Sequence, residues 1–141
     1  MTPTIAEGPL ETGPEAQIEA TQTVSNTELK QLDKNQVNFS DLITEKAINQ
    51  GVNAKLANSI AFCESTYRQF ENTGEALRGN QNRLDVGLFQ INEKYHLEKS
   101  QELGFDIHTT EGNIDYALWL IKNEGEQHWK WSQHCWGPKV S

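Results

Sequence analysis

Apolar residues recur at helical spacing along most of the chain from Leu42 onward. Over residues 41–50 they stand at Leu42, Ile43, Ala47 and Ile48, the stripe of an amphipathic helix. Ser40 or Asp41 is placed to cap its first amides, and Gly51 to close it in the left-handed conformation. Asn53 reads as the cap of a second helix, on which Ala57, Ile60, Ala61 and Glu64 share one face and Leu56 and Cys63 lie beside them. Residues 71–83 are polar and contain glycine, which predicts an irregular loop or a small hairpin. The apolar, glycine-containing run over residues 85–92 predicts the start of a short helix, and a further helical stretch covers residues 97–102 up to Gly104. The clearest helix spans residues 111–124. Ile114, Leu118 and Ile121 lie on one face, Thr110 is the N-cap, Gly125 the stop, and Trp119 is assigned to the core. Residues 128–132 add a short turn, and no period of 20–50 residues repeats.

The first 38 residues break this pattern. Residues 1–40 hold three of the four prolines and a single aromatic, Phe39, with six acidic and two basic groups; all four tryptophans fall in the last 23 residues. A Thr/Glu/Pro/Gln-rich stretch buries too little apolar area to offset about 1–2 kcal/mol of backbone entropy per residue. Residues 1–38 are therefore expected to be a disordered acidic tail or linker, either a passive spacer or one that projects the domain of residues 39–141 from an anchor. The start, Met1-Thr-Pro-Thr-Ile-Ala-Glu, has neither a basic region nor an apolar core, so no secretory signal is visible. This fits a chain outside that export route, or a mature fragment. At 141 residues the whole allows one domain. No apolar stretch approaches the ~20 residues of a membrane span. The formal net charge of −8 leaves no basic stripe for nucleic acid.

Two acids have unusual settings. Glu64 ends the apolar run Ile60-Ala61-Phe62-Cys63-Glu64-Ser65 and shares a face with Ile60 and Ala57. A half-buried carboxyl keeps its proton to higher pH, as a general acid working near neutrality must. Asp85 precedes Val86-Gly87-Leu88-Phe89-Gln90-Ile91-Asn92. Taken singly, each also reads as a solvated helix-end or turn acid.

Together the motifs resemble the lysozyme superfamily, and in particular the soluble lytic transglycosylase (SLT) domain. Cys63-Glu64-Ser65 followed by Gly87-Leu88-Phe89-Gln90-Ile91-Asn92 is similar to the catalytic Glu-Ser and Gly-Leu-Met/Phe-Gln-Ile segments of that domain. Glu111-Gly112-Asn113-Ile114-Asp115-Tyr116-Ala117 resembles its Asn-Ile helix. Trp129-Lys130-Trp131-Ser132-Gln133-His134-Cys135 resembles the tryptophan-and-cysteine endings of animal-type lysozymes and resuscitation-promoting factors. The resemblance covers residues 42–136. It implies a mainly α, lysozyme-like fold (α+β with minimal β), with Glu64 as the general acid towards the glycosidic oxygen. It implies that Gln90 and its neighbours, Ser65 and Asn92 among them, line the glycan groove, with Asn113 and Tyr116 in the same cleft. Where the family often has a tyrosine seven residues after the helix asparagine, this chain has Leu120. Asp85 departs towards animal-type lysozymes, which carry an aspartate just before the Gly-x-x-Gln run. The overall pattern points to a transglycosylase with one acid, which closes the substrate into a 1,6-anhydro sugar. Asp85 points to two-acid hydrolysis.

The residues alone leave Cys63 and Cys135 open: buried thiols, a disulfide, or a reactive cysteine without an evident His partner. They lack the spacing of a zinc site. The resemblance implies a disulfide from the Glu64 helix to the tryptophan segment, and with it an oxidising, extracytoplasmic location. Trp129, Trp131 and Trp136 crowd a short polar stretch. Sugar rings stack on aromatic faces, which makes Trp129 and Trp131 candidates for the groove. The expected function is that of a monomeric peptidoglycan muramidase acting on glycan strands without metal or organic cofactor. The rival is a catalytically silent wall-binding module of the same fold, and Glu64 separates the two. Residues 41–141 carry 14 acidic and 10 basic groups, a balance that does not concentrate the domain at an anionic wall.

Overall fold

The computed structural model describes residues 38–141; the tail expected over residues 1–38 lies, but for Asn38, outside them. Five α-helices, a 3₁₀ segment and a two-stranded sheet follow one another in these residues. The first helix, α1 (Phe39–Gln50), starts at Asn38, whose side chain accepts from the Asp41 amide, two residues before the cap expected at Ser40. It ends as expected at Gly51 (φ 75°). The Gly51 amide donates to Ile48 and that of Val52 to Ala47, which satisfies the last carbonyls. Helix α2 (Ala54–Ser65) is capped by Asn53 and buries Ala57, Ile60 and Ala61 against α1. Two consecutive non-glycine residues then take left-handed angles, Thr66 (φ 51°) and Tyr67 (φ 64°). Such angles cost energy in residues with a Cβ. Here they turn the chain sharply beneath Glu64. Ser65 Oγ accepts from the Arg68 amide, and the Tyr67 hydroxyl donates to Asn58 Oδ1, both holding the turn.

The run over residues 85–92 is not the start of a helix. It is a hairpin of β1 (Asp85–Val86) and β2 (Ile91–Asn92), paired Asp85 to Asn92 and Val86 to Ile91. Its turn carries positive φ at Gly87 (78°) and Gln90 (51°), which no helix tolerates, and drives Leu88 and Phe89 wholly into the core. Side chains distant in sequence satisfy the buried amides. Gln69 Oε1 accepts from Leu88 at 2.9 Å and Asn113 Oδ1 from Phe89 at 2.9 Å. A Cβ on Gly87 would come within 2.4 Å of Asn113 Nδ2 and 2.7 Å of Gln69 Oε1, so only glycine admits both amide side chains. An isolated bridge from Phe70 to Ala76 closes the preceding polar loop on itself, and one from Arg78 to Val86 ties it to the hairpin.

Helix α3 (Glu93–Glu102) begins four residues before the expected stretch because Asn92 caps it. Helix α4 (Thr110–Glu124), capped by Thr109 rather than Thr110, is the core element, with Asn113, Ile114, Tyr116, Ala117, Leu118 and Leu120 buried. Trp119 is half-buried rather than in the core; it stacks on the Tyr116 ring, with Lys99 Nζ 5.5 Å from its centroid. After the 3₁₀ segment Gln127–Ser132, helix α5 (Gln133–Val140) packs on α2. Cys63 of α2 and Cys135 of α5 form a disulfide, with Cα atoms 6.0 Å apart. Among the described residues no helix is long and apolar enough to cross a membrane.

Candidate active site

An open cleft of about 780 Å³ lies between the end of α2, the hairpin and α3, and the second half of α4 with the 3₁₀ segment. Glu64 lines it from the last turn of α2. Burial raises its pKa above the ordinary carboxylate value; a hydrogen bond from the Ser132 hydroxyl to Oε2, at 2.5 Å, opposes that rise, and the charge of Asp85 adds to it. Asp85 lines the same cleft from β1. Its Oδ1 accepts from Asn92 Nδ2 across the hairpin at 2.9 Å.

Seven of the residues singled out in the sequence therefore line one cleft: Glu64, Asp85, Gln90, Asn92, Tyr116, Trp129 and Trp131. They contribute differently. Gln90 is locked by its own side chain, whose Nε2 donates to the Gly87 carbonyl. Trp129 is 4% exposed and its indole donates to the Phe89 carbonyl, so it forms wall rather than platform. Trp131 is 85% exposed at the rim. Two expected contacts are corrected. Asn113 is fully buried and spends its amide on Phe89, Val86 and Ile107. Ser65, 5% exposed, donates to the Ala61 carbonyl and accepts from the Arg68 amide. Neither lines the cleft; both hold the backbone of the elements that do.

The sequence reading missed Ser132, and with it a second group of cleft residues, Tyr95, His96, Glu124 and His128. His96 Nδ1 lies 2.8 Å from the Tyr116 hydroxyl, the His96 and His128 rings meet edge to face at 4.9 Å, and His128 Nε2 lies 2.6 Å from Glu124 Oε1. Only the four-residue step from Glu124 to His128 on a helical path is visible in the sequence. No family model, curated protein or solved structure matches the chain.

Proposed function

We propose that the chain is a lysozyme-like peptidoglycan muramidase that cleaves the β-1,4 bond between N-acetylmuramic acid and N-acetylglucosamine, as a lytic transglycosylase. The observation that carries this reading is Glu64: a carboxyl at a helix end, pushed up by burial, lining an open cleft. Protonated Glu64 donates to the glycosidic oxygen as the bond to C1 breaks. The carboxylate left behind takes the proton of the muramic acid 6-hydroxyl, whose oxygen bonds C1 and closes a 1,6-anhydro ring without consuming water. Glu64 ends the cycle protonated. The disulfide is compatible with an extracytoplasmic site of action.

Asp85 favours a second reading. Its place in the same cleft, its effect on Glu64 and the bond from Asn92 that fixes its carboxyl suit a second acid that attacks C1 or steadies its charge before water completes hydrolysis. Mass spectrometry of digested peptidoglycan separates the two. The transglycosylase gives 1,6-anhydromuramic acid ends, and Glu64→Gln lowers their yield by roughly 10²–10⁴-fold. Reducing-end muramic acid as the only product, lost in Asp85→Asn, establishes the hydrolase instead. Equal wall clearing by parent and Glu64→Gln removes Glu64 from the chemistry. Clearing by neither, with wall binding intact, points to the silent module.

A further inference from the structure

Helix α2 has an outward face that the cleft does not use. Lys55, Asn58, Ser59 and Phe62 recur at the spacing of one helical stripe, and Glu64 stands on the opposite side of the helix. A second hollow, of about 450 Å³, lies over this stripe, bordered by Ser40 of α1, Tyr67 and Lys139 of α5; it shares no lining residue with the cleft. Its floor is aromatic. Phe62 is 42% exposed, and the Tyr67 ring tilts against it with centroids 5.8 Å apart. The left-handed angles of Thr66 and Tyr67 turn the chain so that Tyr67 meets Phe62, and the surrounding contacts impose that costly turn. The Tyr67 hydroxyl donates to Asn58 Oδ1, and Asn58 Nδ2 donates to Thr44 Oγ1 at 2.8 Å. The rim is cationic. Lys139 Nζ lies 5.0 Å from the Phe62 centroid, and Lys55 stands in the first turn of α2, where the helix dipole disfavours a cation. Both lysines are exposed, and neither has a carboxylate partner among the described residues. None of the described residues that line the hollow is acidic, although acids outnumber bases over residues 41–141.

Two unpaired ammonium groups above an apolar floor fit a ligand with carboxylates on a short apolar stem. A neutral sugar lacks the charge, and an inorganic anion leaves the aromatic floor uncovered. A short peptide with free carboxylates and methyl side chains supplies both. We propose that the Lys55–Phe62–Lys139 face of α2 binds the carboxylate-bearing stem peptide of a neighbouring wall strand, and so holds the domain on its substrate through a site separate from the cleft. The overall charge does not draw the domain to an anionic wall; this local patch supplies the attraction that the whole lacks. The natural ligand rests on the muramidase reading, but the test reads binding and not cleavage.

The full chain, labelled with ¹⁵N, is titrated with the N-acetylated peptide L-Ala-γ-D-Glu-L-Lys-D-Ala-D-Ala and, separately, with the same peptide amidated at both carboxyls. The free acid is expected to shift the amides of Lys55, Asn58, Phe62 and Tyr67 and to leave that of Glu64 in place. The diamide binds about tenfold more weakly, and binding of the free acid weakens as salt is raised. Lys55→Ala and Lys139→Ala each lower the affinity about fivefold. Both side chains are exposed, and thermal melts confirm that the variants fold. Phe62→Ser weakens the free acid and the diamide alike, since it removes the floor and not the charge. Shifts confined to the cleft, equal binding of the diamide, equal shifts with glycerol 3-phosphate, or parental affinity in a folded Lys55→Ala, Lys139→Ala double variant overturns the proposal. A chain that binds the peptide in this way but leaves the wall uncleared keeps the site while the muramidase reading falls. A chain that clears the wall without these shifts keeps the muramidase reading and loses the site.

Discussion

Ser132 has one hydroxyl proton and two acceptors within reach, Glu64 Oε2 at 2.5 Å and the Trp129 carbonyl at 3.1 Å. When Glu64 is ionised the proton goes to the carboxylate. When Glu64 is protonated, the carboxyl donates to Ser132 Oγ and Ser132 donates to Trp129. The hydroxyl thus serves both protonation states by rotating, as the proposed role of Glu64 as acid and then base requires. Burial remains the larger influence on Glu64 and holds its pKa above the unfolded value. A raised folded-state pKa means that the fold prefers the protonated side chain. The stability this contributes is complete below the unfolded pKa and is lost as pH rises through the folded one. Glu64→Gln, neutral at every pH, is therefore expected to melt at a higher temperature than the parent at pH 7, and the difference shrinks on acidification towards pH 4. Melting curves at the two pH values check this; a difference independent of pH would mean that Glu64 titrates alike folded and unfolded.

Among the elements, the hairpin shows why some structure was legible in the sequence and some was not. Helix ends governed by one residue's chemistry read correctly: the Asn53 cap, the left-handed Gly51 and the stop at Gly125. The run over residues 85–92 read as a helix because Val86, Leu88, Phe89 and Ile91 are apolar. The groups that pair its buried amides, Gln69 and Asn113, lie 19 and 24 residues away. Glu64 and Asp85 stood out through their apolar setting and their motifs. Ser132 did not, because its link to Glu64 spans 68 residues, and His96 did not, because it meets Tyr116 only when α3 crosses α4. Asn113 was singled out for the wrong role. Its amide joins α4 to the hairpin turn and the loop before α4 through three backbone groups, Phe89 N–H, Val86 C=O and Ile107 C=O. Asn113→Ala removes all three of these hydrogen bonds from the core. The expected loss is about 3–5 kcal/mol, with faster hydrogen exchange at the Phe89 amide. Denaturant unfolding measures the first and amide exchange the second. Stability within ~0.5 kcal/mol of the parent would show that water replaces the side chain.

Across the whole domain, the cleft is made of parts that the chain order keeps far apart, and specific links hold them together. Lys46 joins α1 to α4 through Glu111 at 2.7 Å and Asp115 at 3.1 Å. Glu93 at the start of α3 takes Arg78 from the polar loop at 2.7 Å and His108 from the turn before α4 at 2.6 Å. Neither link reaches the boundary between Glu64 and the 3₁₀ segment. That boundary is held by Ser132 and by the disulfide, whose cysteines stand one residue before Glu64 and three after Ser132. A bridge across 72 residues removes enough unfolded-chain entropy to stabilise by about 4 kcal/mol, a large share for a domain of this size. Cys135→Ser is therefore expected to lower the melting temperature under oxidising conditions and to match the parent in reductant. Calorimetry in both buffers checks it. An equal loss in the two would assign the stability to packing around Cys135 and not to the bridge. The bridge also sets where damage shows first. Since Trp131 and Ser132 are carried by the segment it anchors, the cleft wall facing Glu64 should loosen on reduction before α1, α2 and α4 separate. Under the proposed muramidase function, wall clearing in reductant is then expected to fall at temperatures where the helical signal by circular dichroism is still that of the folded protein.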